Sequence, residues 1–111
     1  MVAEAPMPGI MRRRIIGEKA MVSDVRIEKG CEVPWHQHPN EQIAIVLEGR
    51  LQFDVATPDG GTRRYILEAG DVLHLPGHVG HGGVALEDCR AIDIFSPPSE
   101  ATGIDQSASK G

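Results

Sequence analysis

With 111 residues, 41% of them hydrophobic and 24% charged, the chain is sized and composed for one globular domain rather than for a disordered or multidomain protein. Sixteen acidic residues against eleven basic ones leave a formal charge of −5, which argues against nucleic acid or an anionic membrane surface as the main partner. No apolar run approaches the roughly 20 residues that span a bilayer, and Arg12, Arg13 and Arg14 follow a short, proline-broken stretch instead of opening a signal peptide. A cytoplasmic location is therefore the expectation.

Residues 1–9 carry Pro6, Pro8 and Gly9 with little apolar pattern, and residues 97–111 are polar (PPSEATGIDQSASKG). This composition predicts a single domain over 1–111 with its core at about 10–98 and flexible tails at 1–9 and 99–111. The apolar pairs Ile10–Met11 and Ile15–Ile16 suit an edge strand added to a neighbouring molecule, and a homodimer is expected. From there on no long 3.6-residue period occurs. Short runs rich in Val, Ile and Leu, bounded by Gly, Pro and Asp, predict strands near 20–27, 32–36, 42–47, 51–55, 63–67, 71–75, 82–86 and 89–96. Asp59-Gly60-Gly61 reads as a hairpin loop between two of them. Thirteen glycines and eight prolines are too many for a helical bundle of this length and natural for tight turns. The pattern predicts an all-β barrel. Cys31 and Cys89 are read as reduced, buried small hydrophobes rather than as a disulfide.

All five histidines, His36, His38, His74, His78 and His81, fall in two windows, residues 30–49 (GCEVPWHQHPNEQIAIVLEG) and 70–82 (GDVLHLPGHVGHG). On a strand, His36 and His38 share a face, and Gln42 keeps their parity while Glu41 points the other way. Two imidazoles and one amide carbonyl on an inward face make most of a metal site. In the second window, Gly70 and Pro76 frame a strand, and the turn Gly77–Gly80 delivers His81 onto the next one. His78 reads as a turn residue at the barrel mouth, or as a proton carrier if it faces the pocket. His74 alternates with Val72 and reads as structural or as part of the outer face. Trp35 has opposite parity to His36 and suits wall packing. On the last strand Ala91, Asp93 and Phe95 share one face, which makes an inward Asp93 a candidate general acid or base beside an apolar wall at Phe95.

The two windows resemble the paired motifs of the cupin superfamily. Gly30, His36, His38 and Gly49 fit the first, with Gln42 where a glutamate is usual. Gly70, Pro76 and His81 fit the second, with His78 in place of its inner glycine. The resemblance covers about residues 20–96 and implies an RmlC-like double-stranded β-helix, or jelly-roll barrel, in which His36, His38, Gln42 and His81 coordinate one divalent transition metal. Imidazole and amide ligands suit Zn, Ni, Fe, Mn and Cu alike. With no carboxylate among them, the ion keeps its double charge and acts as a strong Lewis acid toward a substrate oxygen.

Together, HPNEQIAIVLEG and ALEDCRAIDIFSPP look like the small single-domain cupins of the KdgF type, which linearise 4,5-unsaturated uronates. The resemblance implies substrate roles for Asp93 and Phe95. In that family an arginine follows the two prolines, whereas Ser99 stands here after Pro97 and Pro98. Serine cannot pair bidentately with a uronate carboxylate, so Arg50, Arg64 and Arg90 are candidates for the missing charge. The competing readings are an iron-dependent dioxygenase or a manganese or nickel lyase of small molecules, and a non-catalytic small-molecule-binding cupin.

Overall fold

Buried and exposed side chains alternate along most of the strands, so each strand has one face for the interior and one for solvent. The computed structural model describes residues 3–99. Among them there is no helix, and ten strands form: β1 (Ala3–Met7), β2 (Ile10–Ile16), β3 (Met21–Ile27), β4 (Glu32–His36), β5 (Glu41–Glu48), β6 (Leu51–Ala56), β7 (Thr62–Leu67), β8 (Val72–Leu75), β9 (His81–Ala85) and β10 (Cys89–Ser96). They pair antiparallel in two sheets, of order β1-β2-β3-β10-β5-β8 and β4-β9-β6-β7. The chain crosses repeatedly from one sheet to the other, as in a jelly-roll barrel.

All eight expected strands are present, and the two N-terminal ones depart from expectation. Ala3–Met7, placed by composition in a flexible tail, pairs with β2, with Glu4 opposite Arg12. Two prolines are tolerated next to and within β1 because it is the outermost strand of its sheet, where a missing N–H leaves no neighbour unpaired. Strand β2 is not an edge: β1 occupies one side and β3 the other. It therefore has no free backbone ladder to offer a second molecule. The tail expected over 99–111 lies outside the described residues except for Ser99.

Register explains how the interior is divided. At one end Ile10 pairs with Ile27 and Ile27 with Cys89, while Leu51 pairs with both Leu67 and Ala85. These join Val25, Val46 and Ala91 in one buried apolar cluster. Each fully buried Ile, Leu or Val there contributes roughly 1.5–3 kcal/mol of transfer free energy. At the other end the inward positions turn polar. Asp93 pairs with Ser23, Phe95 with Gln42, and His36 with His81. Gly49 closes the turn between β5 and β6 with φ +81°, and a Cβ there would lie 2.2 Å from the Asp88 carbonyl oxygen. Only glycine satisfies both conditions. Both cysteines are free thiols, Cys89 buried and Cys31 half-buried.

Candidate metal centre

Three histidines arrive at the polar end from different elements. His36 ends β4, His81 opens β9 directly opposite it, and His38 lies in the loop that leads into β5. Their ring centroids are 4.3 Å apart for His36 and His81, 5.1 Å for His38 and His81, and 5.5 Å for His36 and His38. One ring nitrogen from each lies within 4.8 Å of the other two.

Backbone carbonyls set the tautomers. His36 Nδ1 lies 2.7 Å from the Pro34 carbonyl oxygen, His38 Nδ1 lies 3.1 Å from that of Asn40, and His81 Nδ1 lies 2.9 Å from that of Val79. A carbonyl only accepts, so each Nδ1 carries the proton and each Nε2 keeps its lone pair. His38 Nε2 is buried and has no hydrogen-bond partner. A buried acceptor left in this state costs about 1–3 kcal/mol, and a metal ion in the cluster supplies its missing partner. Burial pulls the His36 pKa down, opposed by the Pro34 carbonyl. It brings His81 to about 4, opposed by the Val79 carbonyl and reinforced by His36 and His38. Neutral imidazoles with outer nitrogens anchored on carbonyls are the form that binds a transition metal. The three residues fit a divalent ion on this ground.

The neighbouring cavity is lined by His36, Gln42, His81, Asp93, Phe95 and Arg12, among others. Gln42 Nε2 donates to Asp93 Oδ1 at 3.1 Å, which assigns the Gln42 amide and leaves its carbonyl oxygen as an acceptor. Burial pushes the Asp93 carboxyl up to about 6, against the pull of that hydrogen bond. Phe95 is buried with its ring edge-on to His38, centroids 5.7 Å apart. Both residues of β10 therefore face inward as their parity requires.

Other expected residues lie elsewhere. His78 is exposed on the turn before β9 and does not line the cavity; its φ is +66° and its N–H donates to the His38 carbonyl at 2.7 Å. Its backbone holds His38 in place, and its imidazole is not part of the cavity wall. His74 is on the outer face, 2.6 Å from Glu41. Trp35 is half exposed and leans on Gly80, where a Cβ would come within 2.7 Å of the ring. Arg50, Arg64 and Arg90 pair with Glu87, Asp54 and Asp24, and none lines the cavity.

Two residues escaped the sequence reading. Asn40 is fully buried: its side-chain amide donates to the Pro97 carbonyl and its own carbonyl accepts from His38, so it ties the loop that carries His38 to the segment after β10. Arg12 lines the cavity and is 4% exposed. Its only signal was the alternation in IMRRRII, which puts Ile10, Arg12 and Arg14 on one face.

The cupin-domain family model matches residues 23–95, which contain every residue of the cluster. The chain belongs to the cupin family. Among solved structures, this cupin is similar to KdgF from Halomonas sp., with 33% identity over 90% of this chain and 89% of that one and a TM-score of 0.77. It is likewise similar to an RmlC-like cupin from Shewanella frigidimarina, with 32% identity, coverage of 89% and 86%, and a TM-score of 0.79. An oxalate decarboxylase from Lactobacillus farciminis superposes with a TM-score of 0.81 at 18% identity, over 90% of this cupin and 31% of that chain, and shares the fold. No curated protein matches the chain.

Proposed function

We propose that this cupin is a metal-dependent enzyme that opens the ring of 4,5-unsaturated uronates, with His36, His38, His81 and the Gln42 carbonyl oxygen as ligands to one divalent transition metal. The observation that carries the reading is the Gln42–Asp93 hydrogen bond beside the three histidines. It turns the amide nitrogen toward the carboxylate and reserves the amide oxygen for the ion, giving four neutral donors. It also puts a carboxylate next to them that is not itself a ligand. The similarity to KdgF from Halomonas sp. and the substrate roles that the resemblance to KdgF-type cupins implies for Asp93 and Phe95 support the substrate class.

An ion held by four neutral ligands supplies Lewis-acid polarisation of a substrate oxygen. The protein's own groups handle the proton. Asp93 accepts the proton of the anomeric hydroxyl as the bond between the anomeric carbon and the ring oxygen breaks, leaving an aldehyde and an enolate. The carboxyl then returns that proton to carbon 4 as the enolate becomes a ketone, so the net change is an isomerisation that consumes no water. A carboxyl raised by burial to about 6 holds and releases a proton near neutral pH. Phe95 and the apolar residues that line the cavity exclude water from the enolate.

The working unit is a homodimer in the cytoplasm, joined through the outer face of the six-stranded sheet. Across that face Ile15, Val22, Ile94 and Ile43 lie in one register row, and Ile92, Ile45 and Val72 in the next. Ile15, Val22 and Val72 are well exposed, an apolar surface that a monomer would leave in water. A monomer mass by light scattering refutes the dimer.

The activity is tested by following 4,5-unsaturated galacturonate by proton NMR with metal-reconstituted protein. Loss of the ring vinyl signal faster than the spontaneous rate, with linear ketone signals appearing, is the expected outcome. An unchanged spectrum refutes the reading.

A further inference from the structure

Residues 37–40 join β4 to β5, and His38 is the histidine of the cluster that lies among them. Outside a strand, a ring is aimed only by what its loop touches. Backbone contacts restrain this loop on one side. The His78 N–H donates to the His38 carbonyl at 2.7 Å, and Gly77 approaches so closely that a Cβ there would come within 2.5 Å of the Pro39 carbonyl oxygen. On the other side the restraint is a side chain: the Asn40 amide nitrogen donates to the Pro97 carbonyl.

The strand register shows why a side chain is used there. Strand β10 pairs with β5 through Asp93 and Ala44, Ile94 and Ile43, Phe95 and Gln42, and Ser96 and Glu41, so Asn40 and Pro97 hold the next opposed positions. Proline has no N–H to continue a backbone ladder. The Asn40 side chain carries the pairing one step further by donating to the Pro97 carbonyl. Asn40 is 2% exposed, and without this bond its amide would be a buried donor lacking a partner. The backbone carbonyl of the same residue accepts from His38 Nδ1 at 3.1 Å. The side chain thus fixes the residue, its carbonyl fixes the imidazole, and the imidazole's Nε2 is the buried atom that awaits a partner.

We propose that Asn40 is a positioning residue of the metal centre: by gripping Pro97 at the exit of β10 it holds the carbonyl that orients His38, and so couples metal affinity to the docking of the segment after β10. The assignment rests on the reading of the histidine cluster as a metal site and is independent of the substrate. Groups that orient a ligating histidine from outside set metal affinity by about tenfold to a hundredfold. Coupling of this kind is reciprocal, so a bound ion tightens the Asn40 grip by the factor that the grip adds to metal affinity. Asp93 and Phe95 lie on the stretch of β10 that leads into Pro97, and the same contact ties the His38 loop to the strand that carries them.

Zinc is the probe. Competition with a chromophoric chelator gives the zinc affinity of the wild type and of Asn40→Ala, and thermal melts are recorded with and without zinc. Asn40→Ala is expected to bind zinc about tenfold to a hundredfold more weakly, with its stoichiometry at saturation unchanged. A merely structural role lowers the melting temperatures of the zinc-free and zinc-loaded forms alike and leaves the affinity as it was; that result overturns the proposal. Should Asn40→Ala fail to fold, the wild type decides. By NMR on isotope-labelled protein, zinc is expected to slow the solvent exchange of the Asn40 side-chain amide protons by about tenfold or more, and equal rates with and without zinc overturn the proposal. A wild type that binds no divalent ion removes the metal reading and this proposal together. Full zinc affinity in Asn40→Ala removes this proposal and leaves the metal reading standing.

Discussion

Loading the histidine cluster with metal is expected to raise the melting temperature sharply, and His38 makes the effect diagnostic. In the metal-free protein, His38 Nε2 is a buried acceptor without a partner, which costs about 1–3 kcal/mol. The three Nδ1 atoms are already anchored on carbonyls of Pro34, Asn40 and Val79, so binding requires little rearrangement of the rings. At free metal one hundred times the dissociation constant, linkage alone stabilises the folded state by about 2.7 kcal/mol. For a domain of this size that corresponds to a rise of about 10–20 °C. The assay is a thermal melt by circular dichroism after chelation and again with Zn, Ni, Fe(II) or Mn added, alongside metal content by mass spectrometry. His38→Leu removes one ligand and the orphaned nitrogen together. It leaves the Asn40 carbonyl without its donor, and these two effects on the metal-free protein roughly cancel. The variant is expected to melt within a few degrees of the metal-free wild type and to ignore added metal. A wild type that responds to none of the four ions, or a variant that responds as strongly as the wild type, would refute the metal assignment.

Asp93→Asn keeps a hydrogen-bonding side chain opposite Gln42 but cannot carry a proton; metal content is expected to stay stoichiometric while turnover of the unsaturated uronate falls by about 10²–10⁴, measured by the NMR assay. Asp24 is held at about 2, below its ordinary 3.8, first by the Arg90 fork and then by Arg13. A depressed carboxylate stabilises the fold above its unfolded value and loses that contribution as pH falls through the folded one. The urea midpoints of wild type and Asp24→Asn should therefore differ by the equivalent of about 1 kcal/mol after solvent screening above pH 4 and converge near pH 2. A gap that persists at pH 2 rules the ion pairs out as its cause. His78 sits at φ +66°, a conformation costing an L-residue about 1–2 kcal/mol; glycine avoids this at an entropic cost of about 0.5–1 kcal/mol. His78→Gly should raise the melting temperature by a few degrees with metal binding intact, and a fall would show that the imidazole itself holds the turn.

Much of the site was legible because its residues sit where strand parity has consequences. Period-two alternation alone puts Asp93 and Phe95 on one face of β10 and sets Glu41 against Gln42 on β5. Both orientations are those of the structure. The turn Gly77–Gly80 delivering His81 was legible from its glycines. His38 is different: it is not on a strand at all, and its orientation comes from the Asn40 carbonyl and the His78 N–H, contacts between segments that no local pattern encodes. Arg12 was illegible for another reason. In IMRRRII three adjacent charges read as a solvated run, and only the presence of β1 shows which of them is enclosed. That strand is held by the Glu4 ion pairs and is broken and followed by prolines, Pro6 and Pro8, the composition of a tail. A strand stabilised mainly by its partner's side chains leaves little trace in its own sequence.

The division of the barrel into an apolar end and a polar end accounts for how so small a domain keeps a desolvated site. Histidine, glutamine and aspartate in an interior each weaken folding unless paired. Here the costs fall mainly on one layer, and the opposite end, from Ile10 and Ile27 to Leu51 and Leu67, is a cluster of buried apolar side chains. The polar layer is in turn satisfied mostly by backbone carbonyls and by itself, as Gln42 with Asp93. Its remaining debt is concentrated on the inner nitrogens of the histidine cluster, with His38 Nε2 the fully buried case. A site whose unsatisfied atoms converge is pre-organised for a ligand that satisfies them together, since the reorganisation has been met by the apolar core during folding.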